Sequence, residues 1–147
     1  MKPNRGFTLV ELMVVIAIVA TLAALATSSL LRSRMNANEM AAIGGLRVIA
    51  TGTQNYYARV TPHTYPDSLE DLGPDGSDPP YIDGLLAAGE KQGYTFVYEL
   101  EDEENYTCRA NPSTPGRTGN RYFYVDEEGR ITANATEEAG PDDPYIE

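Results

Sequence analysis

The chain has 147 residues, a length that fits one domain of ordinary size. Its 11 lysines and arginines against 22 aspartates and glutamates give a net charge of -11. That balance argues against a protein that holds nucleic-acid phosphates or an anionic lipid surface by its own charge. The single cysteine, Cys108, excludes an internal disulfide, and the single histidine, His63, excludes metal motifs that need paired histidines.

The first 60 residues differ chemically from the rest. The segment Phe7–Leu31 is apolar apart from a few small polar residues and one charge, Glu11, and is long enough for a helix that crosses a membrane. Lys2 and Arg5 precede it, which predicts that the N-terminus stays in the cytoplasm and that the remainder is exported. Residues 61–147 contain 20 of the 22 acidic residues, so we expect an acidic exported head.

The N-terminal motif is specific. Arg5–Met13 reads RGFTLVELM, with glycine, an aromatic residue and glutamate ahead of the long apolar run. This stretch resembles the N-terminal signature of type IV pilins and of the pseudopilins of type II secretion. The resemblance implies that residues 1–6 are a leader peptide, that a prepilin peptidase cuts between Gly6 and Phe7, and that Phe7 is then N-methylated. Residues 7–31 would stay in the mature protein as the membrane and fibre-core half of a long helix.

Glu11 is the unusual residue in this segment, because a carboxylate inside a bilayer costs about 2.5–3.5 kcal/mol on insertion scales. One interpretation places it near the interface, where it reaches water. The other, which the complete motif favours, pairs it with the α-amine of Phe7 on a neighbouring subunit. That amine exists only after cleavage, so the pair would link processing to assembly.

Residues 32–60 have apolar positions at helical spacing, and the pattern predicts one continuous helix over Phe7–Val60 that ends before Pro62. Glu39 falls within the apolar stripe. Either it pairs with Arg32 or Arg34 of another subunit, or it faces solvent below the head. The apolar stripe of this helix consists of Met35, Ala42, Ile43, Leu46, Ile49, Ala50, Thr53, Tyr57 and Val60.

Three glycines weaken this helix, since each costs about 1 kcal/mol relative to alanine in a helix interior. They are Gly44, Gly45 and Gly52. We interpret them as positions of close packing against a sheet; the alternative is a bend that eases polymerisation.

The head, residues 61–147, carries strand patterns after two short helical turns predicted at residues 68–72 and 82–89. Residues 94–100 alternate between apolar and polar, and Tyr106, Cys108 and Ala110 put one face on a second strand. Residues 121–126 and 130–133 form a hairpin around residues 127–129. With the resemblance, this predicts an α+β pilin fold: a long N-terminal helix packed on an antiparallel sheet of three or four strands.

Acidic positions near the C-terminus offer the oxygen ligands that calcium prefers, and major pseudopilins bind calcium in this region. The candidates are Asp126, Glu128, Asp142 and Asp143. No ligand spacing is evident, and a run of charges is usually a solvated surface, so calcium stays an open possibility and no other cofactor is expected. No phosphate-binding loop or nucleophile motif is present, so we expect no enzyme.

The resemblance implies a structural pilin that polymerises through its N-terminal helix into a type IV pilus. Its partners would be further copies of itself, the prepilin peptidase and the assembly machinery of the inner membrane, with no direct binding of nucleic acid. It would begin as a single-pass inner-membrane precursor with an exported head and end in a cell-surface pilus. The alternative is a major-type pseudopilin in a short periplasmic filament of type II secretion. A membrane-anchored binding protein that never polymerises is a third possibility.

Overall fold

The N-terminal helix dominates the secondary structure. The computed structural model describes residues 7–146, and for residues 25–28 the backbone alone; Gly6 and the predicted leader lie outside the described residues. Helix α1 runs Leu9–Arg59. The predicted helix is therefore confirmed to within two residues at each end. It ends where expected, since Pro62 has no amide hydrogen with which to continue the helical ladder.

The chain divides into two compact units, one that ends at Arg34 and one that begins at Met35. In the first unit, the described apolar side chains of α1 are exposed. By length and composition alone, α1 is apolar enough to cross a membrane. The second unit contains the remainder of α1 together with the whole sheet.

Five antiparallel strands form one sheet in which spatial order follows chain order. The predicted three or four strands were too few, because the first strand is only two residues long and carries no periodicity. The strands are β1 (Glu90–Lys91), β2 (Tyr94–Leu100), β3 (Tyr106–Pro112), β4 (Tyr122–Asp126) and β5 (Ile131–Asn134). Residues 96, 110, 123 and 133 lie opposite one another across four strands.

The core of the second unit joins α1 to one face of the sheet. Its helix contribution comes from Ala42, Ile43, Leu46 and Ile49, all on the predicted stripe. Because these side chains recur at three- and four-residue spacing, they lie on one side of α1. The sheet and loops supply Leu69, Leu72, Ile82, Leu86, Tyr94, Phe96, Cys108, Ala110, Phe123, Val125 and Ile131.

Two short turns close the core between α1 and the sheet. A 3₁₀ turn spans Glu70–Leu72, and helix α2 spans Gly84–Ala87, so both predicted helical turns are confirmed as shorter elements. Asp83 caps α2 by accepting hydrogen bonds from the amides of Leu85 and Leu86. Its hydrogen bond from Lys91, at 2.6 Å, holds the pKa of the Asp83 carboxyl below its usual value.

The C-terminal segment adds to the sheet beyond β5. The Ala133 amide donates to the Pro144 carbonyl at 3.0 Å, and the Ile146 amide donates to the Ile131 carbonyl at 2.9 Å. Thr132 and Tyr145 form an antiparallel bridge between these bonds. Residues 144–146 therefore cover the edge that β5 would otherwise expose.

Candidate assembly site

The start of α1 is fixed by a reciprocal pair of side chains. The Glu11 carboxylate oxygen Oε2 accepts hydrogen bonds from the Thr8 amide at 2.9 Å and from the Thr8 hydroxyl at 2.8 Å. The Glu11 amide in turn donates to Thr8 Oγ1 at 3.2 Å. This is a capping box, which satisfies amide groups that the first helical turn leaves without partners. The helix consequently begins at Leu9, two residues after Phe7.

The capping box adds a role for Glu11 that neither sequence-based interpretation includes. A threonine three residues before a glutamate, ahead of an apolar run, is the signal that could have predicted it. Both side-chain bonds use Oε2, and an ionised carboxylate has about four acceptor positions on its two oxygens. Oε1 therefore keeps its capacity to accept from a further donor. Pairing with the Phe7 amine of a neighbour stays a prediction.

The apolar part of α1 that follows is exposed over its described side chains. Phe7 is 80% exposed, and the described side chains as far as Leu31 are exposed as well. The Thr21 hydroxyl donates to the Ile18 carbonyl at 2.8 Å, which satisfies this polar group within the helix. A surface of this size and composition needs lipid or other apolar helices around it.

The structure contradicts both alternatives that the sequence left for Glu39, an arginine of another subunit and exposure to solvent, because its partner lies in its own chain. The side chain is buried, and Oε2 accepts from Arg121 Nε at 2.8 Å. Oε1 accepts from the Asn120 amide at 2.9 Å. Glu39 therefore neither faces solvent nor needs an arginine from another subunit.

Neighbouring contacts hold the loop between β3 and β4, which contains Asn120 and Arg121, against α1. Asn38 Nδ2 donates to the Thr118 carbonyl at 2.8 Å, and the buried Tyr94 hydroxyl donates to the Arg121 carbonyl at 2.8 Å. Burial acts to raise the pKa of Glu39, but the hydrogen bonds from Asn120 and Arg121 outweigh it. The pKa lies below its usual value, so Glu39 is ionised at neutral pH.

The predicted calcium ligands do not form a cluster. Glu128 is paired with Arg130 at 2.7 Å, while the Asp143 carboxylate accepts from Asn134 Nδ2 at 2.9 Å and from the Gly140 amide at 2.8 Å. Asp126 is buried at the end of β4, and Asp142 is exposed. Within residues 7–146, no group of three or more acidic, histidine or cysteine side chains is arranged to hold a metal ion. Calcium binding by these residues stays a prediction.

Cys108 lies in the core, as its alternating pattern predicted. Its side chain is fully buried in β3, and burial raises the pKa of the thiol to about 12. A thiol in that environment is not a nucleophile at neutral pH.

A capped apolar helix long enough to cross a membrane, whose later part packs on an antiparallel sheet, fits a membrane-anchored α+β protein. A family model described as "Prokaryotic N-terminal methylation motif" matches residues 1–27. The chain is similar to "Type II secretion system core protein G" of Escherichia coli (strain K12), with 31% identity over 116 residues that cover 77% of this chain and 76% of that protein. No solved structure matches the chain. The chain belongs to the type IV pilin and pseudopilin family of filament subunits.

Proposed function

We propose that the chain is a structural pilin, which polymerises through its N-terminal helix into a type IV pilus on the cell surface. The observation that carries this proposal is the exposed apolar surface of residues 9–24 and 29–31. In the precursor, lipid covers that surface. In a filament, the same segments of neighbouring copies cover one another, so the bilayer is exchanged for a helix bundle of similar polarity.

Processing prepares the N-terminus for this exchange. The peptidase removes residues 1–6, and the new amine at Phe7 lies close to the capping box. That amine is the partner that we assign to the free acceptor positions of Glu11 on an adjacent copy. A salt bridge there, in a medium without water, sets the register between neighbouring helices.

A second candidate function has a specific observation in its favour. The similarity to core protein G supports a major-type pseudopilin in a periplasmic filament of type II secretion. The same helix and the same assembly chemistry serve both filaments. The two proposals differ in the length and location of the filament.

Electron microscopy of the material sheared from cells, with mass spectrometry of its subunit, tests the proposal. We expect long filaments whose subunit begins at methylated Phe7. Filaments seen only on overexpression, together with loss of protein export on deletion, would identify the pseudopilin. Processed subunit that stays in the membrane without any filament would contradict both and favour an anchored monomer.

A further inference from the structure

The exposed side of α1 in the second unit carries unpaired positive charge on an otherwise acidic head. From residue 35 onward there are seven lysines and arginines against 21 aspartates and glutamates. Four of the seven cations form ion pairs within the chain, with Asp83, Glu99, Glu39 and Glu128. Among the residues that the structure describes here, Arg47, Arg59 and Arg117 form none.

Two of these three arginines belong to one row of the helix. Arg47, Thr51, Asn55 and Arg59 are spaced four residues apart, so they lie above one another on the same face, and all four are exposed. We call them the basic row. Between the row and the turn at Gly129 lies an open groove of about 440 Å³, lined also by Ala50 and Gln54. The groove thus presents the Arg47 guanidinium and the Asn55 amide, while Gln54 Nε2 already donates to the Tyr65 hydroxyl and the Glu127 carbonyl.

The acidic turn, Glu101–Glu104 between β2 and β3, has the complementary charge. All four residues are exposed, and in the described part of the chain none pairs with a cation. Hydrogen bonds from Asn105 Nδ2 to the Asp102 carboxylate, at 2.8 and 2.9 Å, fix the shape of the turn. The Tyr65 amide donates to the Glu103 carbonyl at 3.3 Å, and the Tyr65 ring packs against Tyr57 in the last turn of α1, so the acidic turn lies near the C-terminal end of α1.

The acidic turn and Arg59 therefore lie at the same end of α1, whereas Arg47, at the other end of the basic row, lies about 18 Å of helical rise further toward the N-terminus, beside the groove. A filament needs two such surfaces, because an open helical polymer forms when one surface of a subunit binds a different surface of the next copy. We propose that the acidic turn of one copy docks against the basic row and its groove on an adjacent copy. This inference rests on the proposed polymerisation and adds a contact between heads.

Charge reversal tests the contact in cells that lack the wild-type gene. Arg47→Glu with Arg59→Glu should reduce sheared filaments by at least about tenfold, because like charges would meet in every subunit contact. The amount of processed subunit in the membrane should not change. Arg117→Glu is the matched control: it reverses an equally exposed, unpaired arginine outside the row and should assemble as the wild type does.

Rescue identifies the partner surface. Glu103→Arg with Glu104→Arg should lose filaments to the same extent, and the chain with all four reversals should recover them. Glu137→Arg with Asp142→Arg reverses two exposed acids elsewhere and should not rescue the basic-row variant. In an independent measurement, Thr51→Cys with Glu103→Cys should give disulfide-linked multimers in filaments, while buried Cys108 does not react.

Wild-type assembly by the Arg47→Glu/Arg59→Glu chain would overturn this contact, as would failure of the four-reversal chain to exceed its parents. Filaments of the double-cysteine chain without cross-links would overturn it too. A wild-type chain that forms no filament contradicts the proposed function instead, so the two failures are distinguishable.

Discussion

At the scale of single residues, Glu11 begins the helix through its bonds to Thr8. In the proposed filament its charge has a second role, as the partner of the Phe7 amine on another copy. A glutamine at this position keeps an oxygen that can accept from Thr8 but removes the charge. A leucine removes both.

We therefore expect Glu11→Gln to insert and be processed with a normal helix start, yet to assemble at least about tenfold less filament, because the salt bridge to the Phe7 amine is lost. Thr8→Val provides the opposite change, since it weakens the cap and keeps the charge, and it should assemble better than Glu11→Gln. Sheared-filament yield measures both variants. Equal yields of Glu11→Gln and the wild type would contradict the pairing.

Glu39 is the other acidic residue whose environment decides its role. Removing it leaves the Arg121 guanidinium and the Asn120 amide without their acceptor. We expect Glu39→Ala to lower the free energy of unfolding by about 2–3 kcal/mol, less than for a fully buried pair because Arg121 is partly exposed. Urea unfolding measures this. Glu128→Ala breaks the exposed pair with Arg130 and should cost less than about 1 kcal/mol.

The acid dependence of the same contribution follows from the lowered pKa of Glu39. A carboxyl whose folded-state pKa lies below its usual 4.5 stabilises the head at pH values above 4.5. That stabilisation is lost as the pH falls through the folded-state value. The difference in unfolding free energy between the wild type and Glu39→Ala should therefore be constant near neutral pH and shrink under acid. A difference that grows under acid would contradict the assignment.

These residues also mark what the sequence can and cannot predict. The helical pattern placed Glu39 within the apolar stripe of α1, but its partner Arg121 is 82 residues away, next to the first residue of β4. Only the folded sheet brings the two together. The capping box, by contrast, is local, and the sequence contains its full signal.

At the scale of elements, the three glycines of α1 have different surroundings. A Cβ at Gly45 would lie 2.8 Å from Phe96 Cζ, so this glycine allows the helix to approach the sheet, as the sequence interpretation proposed. At Gly52 a Cβ would meet Ile82 and Tyr81 in the loop before α2 rather than the sheet. Gly44 is exposed, with nothing within 4 Å of such an atom.

Alanine at Gly44 and at Gly45 should therefore have opposite effects. Gly44→Ala should stabilise the head by about 0.5–1 kcal/mol, since it raises helix propensity without a clash. Gly45→Ala should destabilise it by about 1–3 kcal/mol, because Phe96 and Leu86 must move. Thermal unfolding of the two variants distinguishes these outcomes. Stabilisation by Gly45→Ala would show that the helix and sheet are not closely packed there.

The sequence predicted strands correctly where apolar and polar residues alternate over several residues. Residues 94–100 were predicted as a strand and form β2 over the same bounds, and the hairpin around residues 127–129 joins β4 to β5. β1 has two residues, and residues 144–146 join the sheet after a stretch rich in proline and acids. Both are defined by their partners rather than by their own pattern, so the sequence could not predict them.

At the scale of the whole molecule, the two units differ in what they contain: the first has the exposed apolar segment and the second has the hydrophobic core. Among the described residues, the main cluster of buried apolar side chains spans Ala42 to Ile131 and lies within the unit that begins at Met35. The described apolar side chains of residues 9–24 and 29–31 contribute nothing to that core. We therefore expect the head to fold without the membrane segment.

A chain that begins at Met35 should consequently fold and stay in solution without detergent. Its urea unfolding midpoint should match that of the mature chain in detergent, because the same apolar surface is buried in both. It should form no filament. A sloping, non-cooperative transition would show instead that the first unit contributes to the fold.

The C-terminal segment on β5 affects how the heads of neighbouring copies can lie side by side in a filament. Exposed strand edges act as templates on which another chain can pair and grow a cross-β aggregate, and a filament holds its heads side by side at very high local density. Residues 144–146 occupy the β5 edge, and the opposite edge, β1, offers only two residues. We therefore expect heads that lie side by side in a filament to touch through side chains without their sheets pairing edge to edge.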